Sequence, residues 1–111
     1  MDQITLEEFE RVEMRVGRIL QVEEFPTARK PSYRLTIDFG SSGVRRSSAA
    51  VQPFYLRDSL VGRQVVAVMN FPPRRIADFE SEVLVLGAVE PGGRVILLQP
   101  DADAELGARI A

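Results

Sequence analysis

The chain has 111 residues, 45% of them hydrophobic and 27% charged, enough for one ordinary globular domain with its own core. Its net charge is −2 and it contains no histidine and no cysteine. Those absences exclude disulfides, thiol nucleophiles, Cys/His metal sites and the commonest general base near neutral pH. An enzyme built from carboxylates alone survives that filter. No metal-ligand spacing and no phosphate-binding glycine loop supports it, so a non-catalytic protein without metal or cofactor is expected.

In chain order, the start Met1-Asp2-Gln3-Ile4 is acidic and lacks the basic-then-apolar order of a leader peptide. No apolar run approaches the roughly 18 residues a membrane helix needs, so a cytoplasmic address without membrane insertion is expected. Thr5 with Glu8 three residues on predicts a capping box opening a short helix, and Leu6 and Phe9 form its apolar stripe. Such a helix is too short to stand alone and must dock on its own domain or on a second subunit.

The period then switches to two. Met14 to Glu23 predicts a long curved strand, with Gly17 as its bending point. A basic loop over Thr27 to Pro31 leads to a half-buried strand from Tyr33 to Phe39. The turn Gly40-Ser41-Ser42-Gly43 returns a strand over Val44 to Val51. Pro53 to Gly62 predicts a helical turn across the barrel end. Val65 to Met69 lies in a buried strand, Phe71 to Glu80 forms a loop, and Val83 to Val89 and Val95 to Leu98 are two further strands. The tail from Pro100 is acidic, with Leu106 and Ile110 as its anchors. The sum is an all-β domain over residues 1–111: a five- to six-stranded barrel of the OB type with a short N-terminal helix and a helical connection.

Charge is distributed unevenly. Residues 1–28 carry −4, residues 29–75 carry +7 and residues 76–111 carry −5, so the middle of the chain is a candidate anion-facing surface. Thirteen of the fourteen basic residues are arginine, which suits bidentate and stacking contacts but is also what a GC-rich genome produces. The most specific stretch is Asn70-Phe71-Pro72-Pro73-Arg74-Arg75. Two prolines stiffen a loop after a buried strand, two cations project from it, and Phe71 and Phe79 bracket them. Rigid cations beside aromatics suit RNA or an extended peptide. The alternative is that both phenylalanines are core and the arginines a solvated face. Arg45 and Arg46 precede Ser47 and Ser48, whose hydroxyls suit a backbone or phosphate partner or an ordinary crowded strand.

Several separated motifs carry a resemblance. Met14-Arg15-Val16-Gly17-Arg18-Ile19, Asp38-Phe39-Gly40, Leu60 to Val66, Asn70 to Arg74 and Ser81 to Leu86 are similar to the tRNA-binding domain found free-standing in bacteria and appended to methionyl- and phenylalanyl-tRNA synthetases. Ser47-Ser48-Ala49, the double proline with Arg74-Arg75-Ile76-Ala77, and Ser81-Glu82-Val83-Leu84 resemble its branch of small bacterial chaperones of protein secretion. The tRNA-binding members typically carry Ser-x-Gly-Met; here Ser81 matches, but Val83 and Leu84 replace the last two, which places tRNA behind polypeptide as ligand. The resemblance implies an OB-fold homodimer, with Leu6 and Phe9 as dimerisation residues. It further implies unfolded or presecretory polypeptides and the export machinery as partners, with tRNA as a secondary one. The residues assigned to polypeptide or tRNA are Arg45, Arg46, Ser47, Ser48, Asn70, Phe71, Arg74, Arg75 and Ser81.

Overall fold

The computed structural model describes residues 1–111. Thr5 caps a helix α1, Leu6–Glu10, through the expected box: Glu8 N donates to Thr5 Oγ1 (3.1 Å) and Thr5 N donates to Glu8 Oε1 (3.0 Å). None of its five residues is buried. Asn70 ties the following turn to the barrel, accepting from Glu13 N at 2.9 Å and donating to Arg11 O at 2.7 Å.

Strand β1, Met14–Glu24, is the spine of the barrel. Its first half pairs antiparallel with β4, Gln64–Val68, and from Arg18 onward it pairs with β2, Tyr33–Asp38. Arg18 bonds into both ladders, and a register shift between Ile19 and Gln21 bends the strand so that one element serves two walls. Gly17 has another task than the bend expected of it. A Cβ there would lie 2.6 Å from both Ile37 Cγ2 and Phe39 Cε1, so its missing side chain makes room for the Phe39 ring inside the barrel.

Strand β3, Val44–Ala49, pairs with β2, and β7, Leu84–Val85, pairs with β4, giving the order β3-β2-β1-β4-β7. These five strands form a nearly closed OB-like barrel around a 13-residue apolar cluster that includes Ile19, Leu35, Ile37, Phe39, Leu60, Val65 and Ala67. Leu60 enters it from α2, Arg57–Leu60, the expected helical connection. Every residue of β4 is buried, so both its faces are covered and after Gln64 its sequence reads as an apolar run rather than an alternation.

Two short ribbons stand outside the barrel sheet: β5, Arg74–Ile76, with β6, Phe79–Ser81, and β8, Gly87–Val89, with β9, Val95–Leu97. The first lies where the sequence predicts a loop. Its two-residue turn, Ala77-Asp78, places Ala77 at φ 53°, a left-handed conformation that hairpins usually assign to glycine or asparagine. Without that signature, alternation over three residues is too short to announce a strand.

The acidic tail is part of the barrel. Where β2 leaves the first half of β1 unpaired, Gly107 N donates to Val16 O (2.8 Å), Val16 N to Ala108 O (3.0 Å) and Ile110 N to Met14 O (3.0 Å). Upstream, the buried Gln64 side chain donates to Ala104 O (2.7 Å) and accepts from Ala104 N (2.9 Å), completing a backbone-like pair. No helix of the chain is long and apolar enough to cross a membrane.

Candidate functional site

The β5–β6 hairpin is held to the barrel by a stack of phenylalanines and arginines. Phe79 packs edge-on against Phe25 with centroids 5.4 Å apart. The Arg34 guanidinium lies 4.3 Å from the Phe25 centroid and 5.3 Å from that of Phe79, and the Arg46 guanidinium lies 4.6 Å from the Phe79 centroid. Arg34 also pairs with Asp78 and Arg46 with Glu23, both at 3.0 Å. Such half-exposed ion pairs contribute little individually, whereas each cation over a ring adds about 0.5–1 kcal/mol and fixes a plane. Arg34 Nε is buried without a hydrogen-bond partner, so the rings and Asp78 together hold a partly desolvated cation.

Beside the hairpin, the barrel closes by a seam that is only partly a backbone ladder. Arg46 O accepts from Glu82 N (2.8 Å), but Arg46 N is met by the Glu82 carboxylate (2.9 Å) and Ser48 N by Ser81 Oγ (3.0 Å). Ser47 Oγ donates to Val83 O at 2.9 Å. Side chains thus satisfy strand-edge groups that a longer pairing would have used, and the shorter ladder leaves a gap.

That gap is a cleft of about 260 Å³. Phe71, Pro72, Ile76, Val83 and Leu84 supply its apolar wall, and Arg74, Ser48, Ser81 and Glu82 its polar one. A second hollow of about 380 Å³ continues from it, sharing Ser48, Arg74 and Ile76 and adding Ala28, Arg29, Lys30 and Ser32 from the β1–β2 loop. None of Arg29, Lys30 and Arg74 is in an ion pair.

The residues singled out from the sequence divide accordingly. Ser48, Phe71, Arg74 and Ser81 come together in the cleft. Alternation along β5 points Arg74 and Ile76 to it, while the exposed Arg75 stands between them and turns its Nε to Ala77 O. Arg45 lies in a different hollow with Glu13, Arg15 and Asn70. Arg46 is occupied by Glu23 and Phe79, Asn70 by the α1–β1 turn, and Ser47 is fully enclosed. Of the bracketing aromatics, Phe71 is 51% exposed and Phe79 only 3%. Phe79 is therefore core and Phe71 is not. On α1, Leu6 is exposed and Phe9 half-buried. Sequence reasoning did not assign Pro72, Ile76, Glu82, Val83 and Leu84 to the lining; the signal for them was the resemblance of the Pro72 to Ala77 and Ser81 to Leu84 motifs.

Comparison with known proteins agrees with this architecture. Residues 14–109 match the family described as "Putative tRNA binding domain". The chaperone CsaA from Bacillus anthracis superimposes with a TM-score of 0.94 at 45% identity, over 99% of this chain and 100% of that one. The CsaA chaperone protein from Picrophilus torridus does so with a TM-score of 0.91 at 46% identity, over 98% and 100%. The methionine–tRNA ligase of Thermococcus kodakarensis is 36% identical over 110 residues, 99% of this chain. The chain spans only 14% of that ligase, so the similarity concerns one segment of a much larger enzyme. With nearly its whole length matched, its five-stranded barrel and its likeness to the CsaA chaperones, the chain belongs to the tRNA-binding-domain family.

Proposed function

We propose that this chain is a non-catalytic, CsaA-like chaperone that holds unfolded or presecretory polypeptide for the export machinery, acting as a cytoplasmic homodimer. The observation that carries the reading is the cleft itself. It is a short, stiff-walled trough with an apolar side formed by Phe71, Ile76, Val83 and Leu84, and Arg74 at its rim. Prolines at 72 and 73 keep Phe71 and Arg74 in place without a ligand, which lowers the ordering cost of binding. An extended polypeptide offers what this trough takes: apolar side chains for the wall and backbone carbonyls for the arginine.

The test is the affinity for a fluorescently labelled unfolded precursor protein, measured by anisotropy. Phe71→Ser with Leu84→Ser is expected to weaken binding about tenfold, since both side chains are about half exposed and would be covered by ligand. Their thermal unfolding should stay near that of the parent, because neither is core. Unchanged affinity would remove the cleft from the function. For the dimer, α1 buries none of its residues and offers Leu6 and Phe9 to a second copy; sedimentation of Leu6→Glu is expected to shift toward monomer.

A second reading, tRNA binding, is favoured by the family and by the free cations of the β1–β2 loop. It ranks lower because the two hollows offer base stacking a single exposed ring, Phe71, while Phe25 and Phe79 are buried in the arginine stack. If tRNA is the ligand, log K should fall with log salt by roughly 0.7–0.9 per phosphate neutralised.

A further inference from the structure

The two joined hollows differ in chemistry, and the geometry points to a defined ligand class: extended polypeptide segments in which an acidic residue lies close to a bulky apolar one. This inference rests on the polypeptide reading above and narrows it. The hollow under the β1–β2 loop brings together Arg29, Lys30 and Arg74, and no carboxylate lines it. None of those three cations has an acidic partner elsewhere in the chain. The adjoining cleft is the apolar one, and its single carboxylate, Glu82, already accepts the Arg46 backbone N–H.

Arg74 stands at the junction of both hollows. An extended chain places residues i and i+2 on one side about 7 Å apart, the scale on which adjoining hollows are read by neighbouring side chains. A carboxylate on such a segment would meet three unpaired cations, with arginine able to bind it bidentately, while its apolar neighbour meets Phe71 and Leu84. A basic segment would bring like charge to the same place, which costs affinity. A polynucleotide would need cations spaced along a track. Here the cleft beyond Arg74 offers no further cation and holds the carboxylate of Glu82 instead.

The experiment uses the whole chain and three labelled peptides of one extended sequence. They hold a leucine constant and place glutamate, glutamine or lysine two residues from it, and each is titrated by anisotropy at two salt concentrations. A single-stranded oligonucleotide serves as competitor. The glutamate peptide is expected to bind about tenfold tighter than the glutamine one, and the lysine peptide weakest. Arg29→Ala with Lys30→Ala, in an exposed loop, should erase the difference, and Arg29→Glu with Lys30→Glu should invert it. Peptides that bind without preference, or with lysine tightest, overturn this inference and leave the polypeptide reading intact. If no peptide binds, or the oligonucleotide displaces the glutamate peptide with steep salt dependence, the polypeptide reading falls and this inference with it.

Discussion

On the flank of β1 and β4 the chain covers its own sheet, whereas beside β3 and the β5–β6 hairpin it leaves apolar and cationic groups open. The first flank buries Val16, Val66 and Val68, completes the β1 edge with residues 107–110, and turns even Gln64 inward by giving it both polar groups of Ala104. Acid and base are paired there too, Arg18 with Asp103 and Arg15 with Glu13. The second flank keeps Phe71 and Leu84 about half exposed and Arg29, Lys30 and Arg74 without acidic partners. The backbone length is what differs. The tail is long enough to finish the β1 ladder, while the seam by Ser81 and Glu82 closes with side chains and stops short. Surface that the chain cannot cover itself is the surface available to a ligand.

Breaking the closed flank should cost most. Gly107 sits at φ +88° with its Cβ position 2.6 Å from Phe39 O. Gly107→Ala therefore combines left-handed strain with a backbone clash and is expected to destabilise by about 3 kcal/mol in chemical denaturation. Gln64→Leu keeps the apolar bulk but strands Ala104 N–H and C=O, for a loss of roughly 2 kcal/mol and faster amide exchange at Ala104. If exchange there stays slow, water or another partner has replaced the glutamine.

The open flank should respond in binding more than in stability. Arg34→Lys keeps the charge but loses the flat face stacked on Phe25 and the fork reaching Asp78. We expect a stability loss of about 1 kcal/mol, together with weaker polypeptide binding because the hairpin bearing Arg74 loses its fixed angle. A binding constant that stays put would show that the hairpin is set by Phe79 alone. The smallest effect is a gain. Ala77→Gly relieves the one non-glycine left-handed residue, and thermal unfolding should show stabilisation by about 0.5–1 kcal/mol.

The barrel was legible because its strands carry their burial in the sequence. Tyr33, Leu35 and Ile37 alternate with half-buried Arg34, Thr36 and Asp38 along β2, and the apolar run of β4 after Gln64 announces a strand covered on both faces. The cap of α1 was equally local, a contact between Thr5 and Glu8 that depends on three-residue spacing alone. In the sequence the anchored tail shows only as two apolar residues, since its attachment runs through backbone groups and through Gln64, which no periodicity marks.

For the site, composition and charge order already placed the cations in residues 29–75 and removed histidine and cysteine chemistry. Which cations stay unpaired was decided only by the tertiary structure. Arg34 and Arg46 look no different from Arg29 and Arg74 in sequence, yet the first two are spent on phenylalanine rings and on acids from segments far along the chain. Phe71 and Phe79 likewise exchange their apparent equivalence for opposite roles, one open and one core. Periodicity reports which side of an element faces inward. It says nothing of which distant element arrives to occupy a side chain, and on that arrival the free surface of this protein depends.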